Sequence, residues 1–243
     1  MRQLSPGRLF GGGRRGGPIV LTLAALATAL AVAGPAAAKP GASAPSASIV
    51  AQAAVRSVAV YRTPATKKPF LHLSNPNTDG GQLVFLVAKR KPGWEQVRLA
   101  MRPNGKLGWV RDSSVDLVLD PYSVQVSLRS HRLVVRNGKH LVLSTRAGVG
   151  RSVLPTPTGT YYIVELLKQS NPSGPYGPYA FGLSAFSNVL YSFGGGPGQI
   201  GLHGTDDPAA LGTDVSHGCI RVKNSIIARL ARILPLGTPV RIA

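Results

Sequence analysis

Short runs in which apolar and polar residues alternate recur along most of this chain, and each is bounded by turn-forming residues. Ser57 to Tyr61, Leu83 to Val87, Trp94 to Leu99 and Gly108 to Val110 read as strands in the first half. Pro103-Asn104-Gly105 separates the last two, and Asn-Gly between alternating runs is a strong hairpin signal. The pattern resumes with Ser123 to Leu128, Arg132 to Arg136, Leu141 to Thr145 and Tyr161 to Leu166, and Asn137-Gly138 supplies a second hairpin turn. Only one segment has helical spacing. Ile226, Ile227, Leu230, Ile233 and Leu234 follow Asn224, a residue suited to cap a helix, and Pro235 and Gly237 end the run. The pattern predicts a mainly β chain: a small barrel over 55–119, then a β-rich domain over 122–243 with one C-terminal helix.

The N-terminus has a different texture. Arg2, Arg8, Arg14 and Arg15 precede the apolar run Ile19 to Ala33, and Ala36-Ala37-Ala38 before Lys39 has the small-residue form of a cleavage site. Residues 1–38 are therefore expected to be a secretory signal peptide. About fifteen apolar residues, many of them alanine, fall short of the ~20 that a stable membrane span requires, so no span is expected after cleavage. Residues 39–54, rich in Ala, Ser, Pro and Gly, are expected to form a flexible linker.

Candidate chemistry centres on Cys219, the single cysteine of the chain, so an internal disulfide is impossible. Alone, such a residue reads most simply as a small buried hydrophobe. Its setting in Ser216-His217-Gly218-Cys219-Ile220-Arg221 is poor material for an apolar core and good material for an activated nucleophile. A thiol near its usual pKa of ~8.5 needs about two units of depression to be mostly thiolate at neutral pH, more than a helix terminus supplies, so an imidazolium partner is expected. His203, at the end of the apolar run Gln199 to Leu202, is the favoured base. His217 stands too close in sequence to face the thiol easily and is given a supporting role at an oxyanion site. The N–H groups of Gly218 and Cys219 are candidate oxyanion donors. Arg221 offers a fork for a substrate carboxylate, the alternative being an ion pair with Asp214 or another acid. The aromatic, glycine-rich stretch 172–198 suits a lid or groove wall, with Phe181 and Phe186 equally suited to packing in the sheet.

His203-Gly204-Thr205 followed by Ser216-His217-Gly218-Cys219-Ile220-Arg221 resembles the active-site signature of the L,D-transpeptidase catalytic domain. Thr156-Pro157-Thr158-Gly159 and Gly237-Thr238-Pro239-Val240 resemble further segments of the same family, so the likeness covers roughly 122–243. It implies a peptidoglycan transpeptidase that forms 3-3 cross-links, with Cys219 attacking a tetrapeptide donor stem and releasing D-alanine. By the same resemblance His203 is general base and acid, the Gly204 carbonyl orients its ring, and Ser216 joins Arg221 at the substrate. No cofactor is expected, and no metal, because Cys219, His203 and His217 leave a zinc ion short of a fourth ligand. Trp94 and Gly108-Trp109-Val110 resemble bacterial SH3-like domains, which implies an SH3-like fold for 55–119.

Charge refines the setting. The formal charge is +19, and residues 1–38 hold four arginines and no acid, which leaves +15 for the rest. A chain so basic and secreted is expected at the cell wall, beside anionic wall polymers and peptidoglycan stem peptides. Its basic residues are scattered, without a nucleic-acid motif, so nucleic acid is not expected as a partner. Two alternatives stay open: a non-catalytic peptidoglycan-binding protein, and an L,D-carboxypeptidase in which water accepts the acyl group.

Overall fold

The computed structural model describes residues 47–78 and 80–243. The first part of the chain contains β1 (Ser48–Ala53), β2 (Ser57–Val60), β3 (Leu71–Ser74), β4 (Val84–Lys91), β5 (Trp94–Arg98), β6 (Leu107–Arg111) and β7 (Val115–Asp120). Five of them form one sheet in the order β6-β5-β4-β1-β7, and β2 pairs with β3. Tyr61, just after β2, bridges to Trp109 in β6 and brings the pair onto the sheet. Val58, Val60, Phe85, Val97 and Val110 form the core between them. Trp109 is buried at 6% exposure and belongs to this unit's packing, while Trp94 is half-buried edge-on to Tyr61 with Arg111 over its ring.

Strand β1 corrects the expected linker. Residues 48–53 are a central strand, paired antiparallel with β4 on one side and β7 on the other, so the first unit includes residues before 55. Its alanines made it look like spacer, yet Val50, Ala51 and Ala53 are buried and the two ladders satisfy its backbone. The expected signal peptide, and the linker up to residue 46, lie outside the described residues.

The second part holds β8 (Tyr122–Ser127), β9 (Arg132–Asn137), β10 (His140–Arg146), β11 (Val149–Gly150), β12 (Gly159–Lys168), β13 (Tyr179–Phe186), β14 (Gln199–His203), β15 (Asp214–Ser216), β16 (Ile220–Arg221), α1 (Asn224–Ile233) and β17 (Pro239–Ile242). Eight strands form one sheet in the order β10-β9-β8-β17-β12-β13-β14-β16. Most neighbours are antiparallel, but β17 runs parallel to β8 and β16 parallel to β14. Helix α1 lays Ile227 and Leu230 on β13 and β14, joining a core that includes Phe181, Leu183, Ile200, Leu202 and Ile220. Each such fully buried side chain is worth about 1.5–3 kcal/mol of apolar transfer. Phe181 is thus a core residue, whereas Phe186 is only half-buried.

Asn224 is the first helical residue rather than the cap; Lys223 stands at that position without a side-chain cap bond. The Asn224 side chain instead accepts the Thr205 N–H at 2.8 Å. The two parts share a buried seam in which Val50, Val84 and Leu86 pack against Tyr162 of β12. The Tyr162 hydroxyl donates to the Arg98 carbonyl at 3.1 Å, and burial holds its phenol protonated well beyond the ordinary range.

Candidate active site

Strand β14 has the sequence Gln-Ile-Gly-Leu-His, and its two-residue period decides what it presents. Ile200 and Leu202 are buried in the core, which turns Gln199, Gly201 and His203 to the opposite face. On the neighbouring segment Ile220 and Val222 are buried in the same core, which turns Cys219 and Arg221 to that face too. Parallel pairing aligns Leu202 with Ile220 and His203 with Arg221. Cys219 therefore falls beside Gly201, diagonally across from His203.

Gly201 lies beside both groups. A Cβ at this position would lie 3.6 Å from His203 Cδ2 and 3.8 Å from Cys219 Sγ, and its N–H donates to Sγ at 3.3 Å. The ring edge turned toward this point is the one that carries Nε2. On the other edge Nδ1 donates to the Gly204 carbonyl at 2.6 Å. A carbonyl can only accept, so Nδ1 bears the hydrogen and Nε2 keeps a free lone pair. Tyr176 stands edge-on to the imidazole with ring centroids 4.8 Å apart, and its carbonyl accepts the Gly204 N–H at 2.9 Å. Gly204 is required by close approach: a Cβ there would meet Asn224 Oδ1 at 2.2 Å.

Burial opposes the ion pair expected from the sequence. His203 is 3% exposed, and burial, with a smaller contribution from the positive charge of Arg221, lowers its pKa to about 4 despite the Gly204 hydrogen bond. Burial likewise pushes the Cys219 thiol up, against the opposing effects of the Gly201 N–H and Arg221. Desolvation penalises both ions, so burial favours the thiol and the neutral imidazole at rest.

The segment before the thiol is fixed internally. Ser216, expected at the substrate, is 1% exposed; its hydroxyl donates to the Cys219 carbonyl at 2.6 Å and accepts the Gly218 N–H at 3.0 Å. Its role is to shape the turn. The same bond removes the Gly218 N–H from the expected oxyanion donors, whereas among the described residues none of the loop or side-chain hydrogen bonds uses the Cys219 N–H. Gly218 adopts φ +120°, a conformation that side chains rarely take. Thr156 completes the brace by accepting the Gly150 N–H and donating to the Gly218 carbonyl, each at 2.8 Å. Nothing in local sequence reveals that Thr156, 62 residues upstream, holds this turn.

His217 is exposed and stacks on Phe193, a wall residue of the thiol cleft, with ring centroids 5.2 Å apart. The alternative pairing of Arg221 with Asp214 does not form, and Asp214 instead bonds His131 at 2.8 Å. Buried Nε of Arg221 has no hydrogen-bond partner among the described residues. Arg221 does not line the cleft around the thiol, and it acts on His203 and Cys219 through its charge. That cleft, of about 180 Å³, is walled by Glu165, Tyr176, Phe193, Gly196 to Gly198 and Gln199, with His203 and Cys219 at its floor. A shielded thiol beside an imidazole with a free Nε2 suits nucleophilic acyl transfer.

The chain is similar to several known proteins. The L,D-transpeptidase YkuD of Bacillus subtilis is 36% identical over 122 residues, which are 50% of this chain and 66% of that protein. Its counterpart in Bacillus licheniformis is 37% identical over the same shares. The chain thus spans slightly less than two thirds of these relatives' length. An L,D-transpeptidase structure from Mycobacterium smegmatis overlaps 64% of this chain and 80% of its own at 16% identity, with a TM-score of 0.43. The family model for the YkuD L,D-transpeptidase catalytic domain matches residues 121–242. That span runs from β8 to β17 and includes every residue of the His203 and Cys219 cleft, and on this match the chain belongs to the YkuD family of L,D-transpeptidase catalytic domains.

Proposed function

We propose that this protein is a peptidoglycan L,D-transpeptidase acting outside the cytoplasmic membrane, and that Cys219 is its nucleophile. The observation that carries the mechanism is the tautomer fixed at His203: Nδ1–H is held by the Gly204 carbonyl, and the lone pair of Nε2 is left on the thiol side. As Sγ attacks the carbonyl carbon of the donor stem's L-to-D peptide bond, Nε2 takes the thiol proton. The tetrahedral oxyanion receives the Cys219 N–H, and the Arg221 charge stabilises the developing negative charge. Collapse breaks the C–N bond, Nε2–H returns the proton to the departing amine, D-alanine leaves, and Cys219 holds a thioester. An acceptor amine then attacks, His203 takes its proton, and a 3-3 cross-link forms while the thiol is restored.

Starting from a neutral pair suits this cycle. An imidazole that is hard to protonate in the resting state returns its proton readily, and a protonated thiol is protected from adventitious oxidation. The N-terminal arginines, apolar run and alanine cleavage pattern support the extracytoplasmic location.

Intact-mass analysis of the protein with a tetrapeptide-stem muropeptide tests the reading. An adduct on the wild-type protein, absent from Cys219→Ala, with release of D-alanine and a new dimer, is expected. Tripeptide without dimer would instead assign L,D-carboxypeptidase action. A folded wild-type protein that neither forms an adduct nor consumes the substrate would refute the enzyme reading and leave peptidoglycan binding.

A further inference from the structure

The turn between β5 and β6 reaches across to the catalytic unit and grips one wall of the thiol cleft. That wall is the loop 187–198. Its base is closed by the Ser187 N–H on the Gly198 carbonyl at 2.8 Å, and its tip by paired bonds between Phe193 and Gly196, each 3.0 Å. Phe193, Gly196, Pro197 and Gly198 face the cleft.

Arg102 binds the other side of this loop at three points. Nη1 donates to the Pro197 carbonyl at 2.7 Å, and Nη2 donates to the carbonyls of Ser187 at 3.0 Å and Leu190 at 2.9 Å. The rings of Phe186 and Tyr191 each approach the guanidinium with their centroids at 4.9 Å. Two residues on, Asn104 mimics a strand neighbour: its Nδ2 donates to the Phe186 carbonyl at 2.7 Å, and its Oδ1 accepts the Phe186 N–H at 2.9 Å. Gly198 leaves space for this arrangement, since a Cβ there would meet the Leu190 carbonyl at 2.1 Å and Arg102 Nη2 at 3.1 Å.

We propose that Arg102 and Asn104 are positioning residues of the active site, through which the first β unit holds the 187–198 wall in the shape that binds the donor stem. The proposal rests on the reading of the Cys219 cleft as the transpeptidase site. Its physical basis is that a loop rich in glycine loses much conformational entropy when ordered, and few of its own contacts repay that loss. Charge-assisted bonds to three carbonyls, with aromatic faces around the cation, supply the missing stabilisation from outside the catalytic fold. The floor of the cleft is held separately by β14, β16 and Thr156, so loosening the wall weakens binding and leaves the nucleophile in place.

The test uses the wild-type protein, Arg102→Ala, Arg102→Lys and Asn104→Ala, each checked for folding by circular dichroism. For Arg102→Ala, KM for the donor stem should rise roughly tenfold or more while kcat stays within about threefold. Amide exchange at Phe193 and Gly196 should accelerate at least about tenfold, and Arg102→Lys should recover part of both effects. Alkylation of Cys219 by iodoacetamide, too small to need the wall, should keep its rate within about threefold. Wild-type KM and exchange in folded Arg102→Ala and Asn104→Ala would overturn the proposal, as would a loss confined to kcat. If the wild-type protein turns over no stem, the functional reading fails, and unchanged exchange in the variants still decides against the brace. Unfolding of Arg102→Ala leaves the decision with Asn104→Ala, where faster exchange in 187–198 sustains the proposal and unchanged exchange overturns it.

Discussion

Acidification should destabilise this protein through His203, and His203→Gln should remove that sensitivity. In the folded chain burial lowers the imidazole pKa from 6.5 to about 4. An unfolded chain therefore takes up a proton below pH 6.5 that the folded one refuses until about pH 4, and stability falls as the pH drops through this window. At 1.36 kcal/mol per pKa unit the full effect is about 3 kcal/mol, absent above 6.5 and complete near 4. Glutamine retains an amide that can donate to the Gly204 carbonyl but does not titrate. Asp120 acts in the opposite sense, because burial raises its pKa and the folded chain retains that proton longer on rising pH. It is common to both proteins, and their difference isolates His203. Urea unfolding at several pH values between 7 and 4 measures this difference. Circular dichroism is the suitable probe, since Trp94 and Trp109 both lie in the first β unit and report poorly on the catalytic one. A wild-type minus variant difference that stays flat within about 0.5 kcal/mol across the window would refute the buried, neutral imidazole.

Thr156→Val keeps the side-chain shape but strands the Gly150 N–H and the Gly218 carbonyl, so it should cost roughly 2–4 kcal/mol in urea denaturation and slow acylation of Cys219. Stability and acylation rate equal to wild type would refute the brace around Gly218. Arg221→Gln removes a positive charge that lowers both neighbouring pKa values, so the pH at which His203 protonates should move upward and the Cys219 thiol should become harder to ionise. Acylation should slow about tenfold or more; histidine proton chemical shifts measured against pH check the direction, and an unmoved or lower His203 midpoint would contradict it.

The sequence carried the strands of both halves because alternation is a local property: a strand with one face in a core must place apolar groups at every second residue. Observed strands begin or end within a few residues of the expected runs, as with β5 from Trp94 and β9 from Arg132. Strand β1 escaped notice because alanine is equally at home in spacer and in closely packed sheet, and only the presence of β4 and β7 distinguishes them. The meeting of His203 and Cys219 in one cleft was legible because chemistry restricts residue types: one thiol, a nearby imidazole and a polar, glycine-containing turn suggest a shared site. The roles of Ser216, His217 and Gly218 were less so, because each depends on which hydrogen-bond partner stands within about 3 Å, and neighbours in sequence do not reveal that.

Sequence by itself determined the β-rich composition of the chain, the one α-helix of the described residues, the family signature and the two residues proposed to carry the chemistry. Tertiary structure alone decided the parallel pairing of β14 with β16, which sets the thiol beside Gly201 and the imidazole. It also decided the neutral state of that pair, since desolvation depends on everything packed around a group and not on its neighbours in the chain. The reach of Arg102 to the cleft wall belongs to the same class. Its three carbonyl partners lie 85 to 95 residues away, and only the folded chain brings them to one guanidinium.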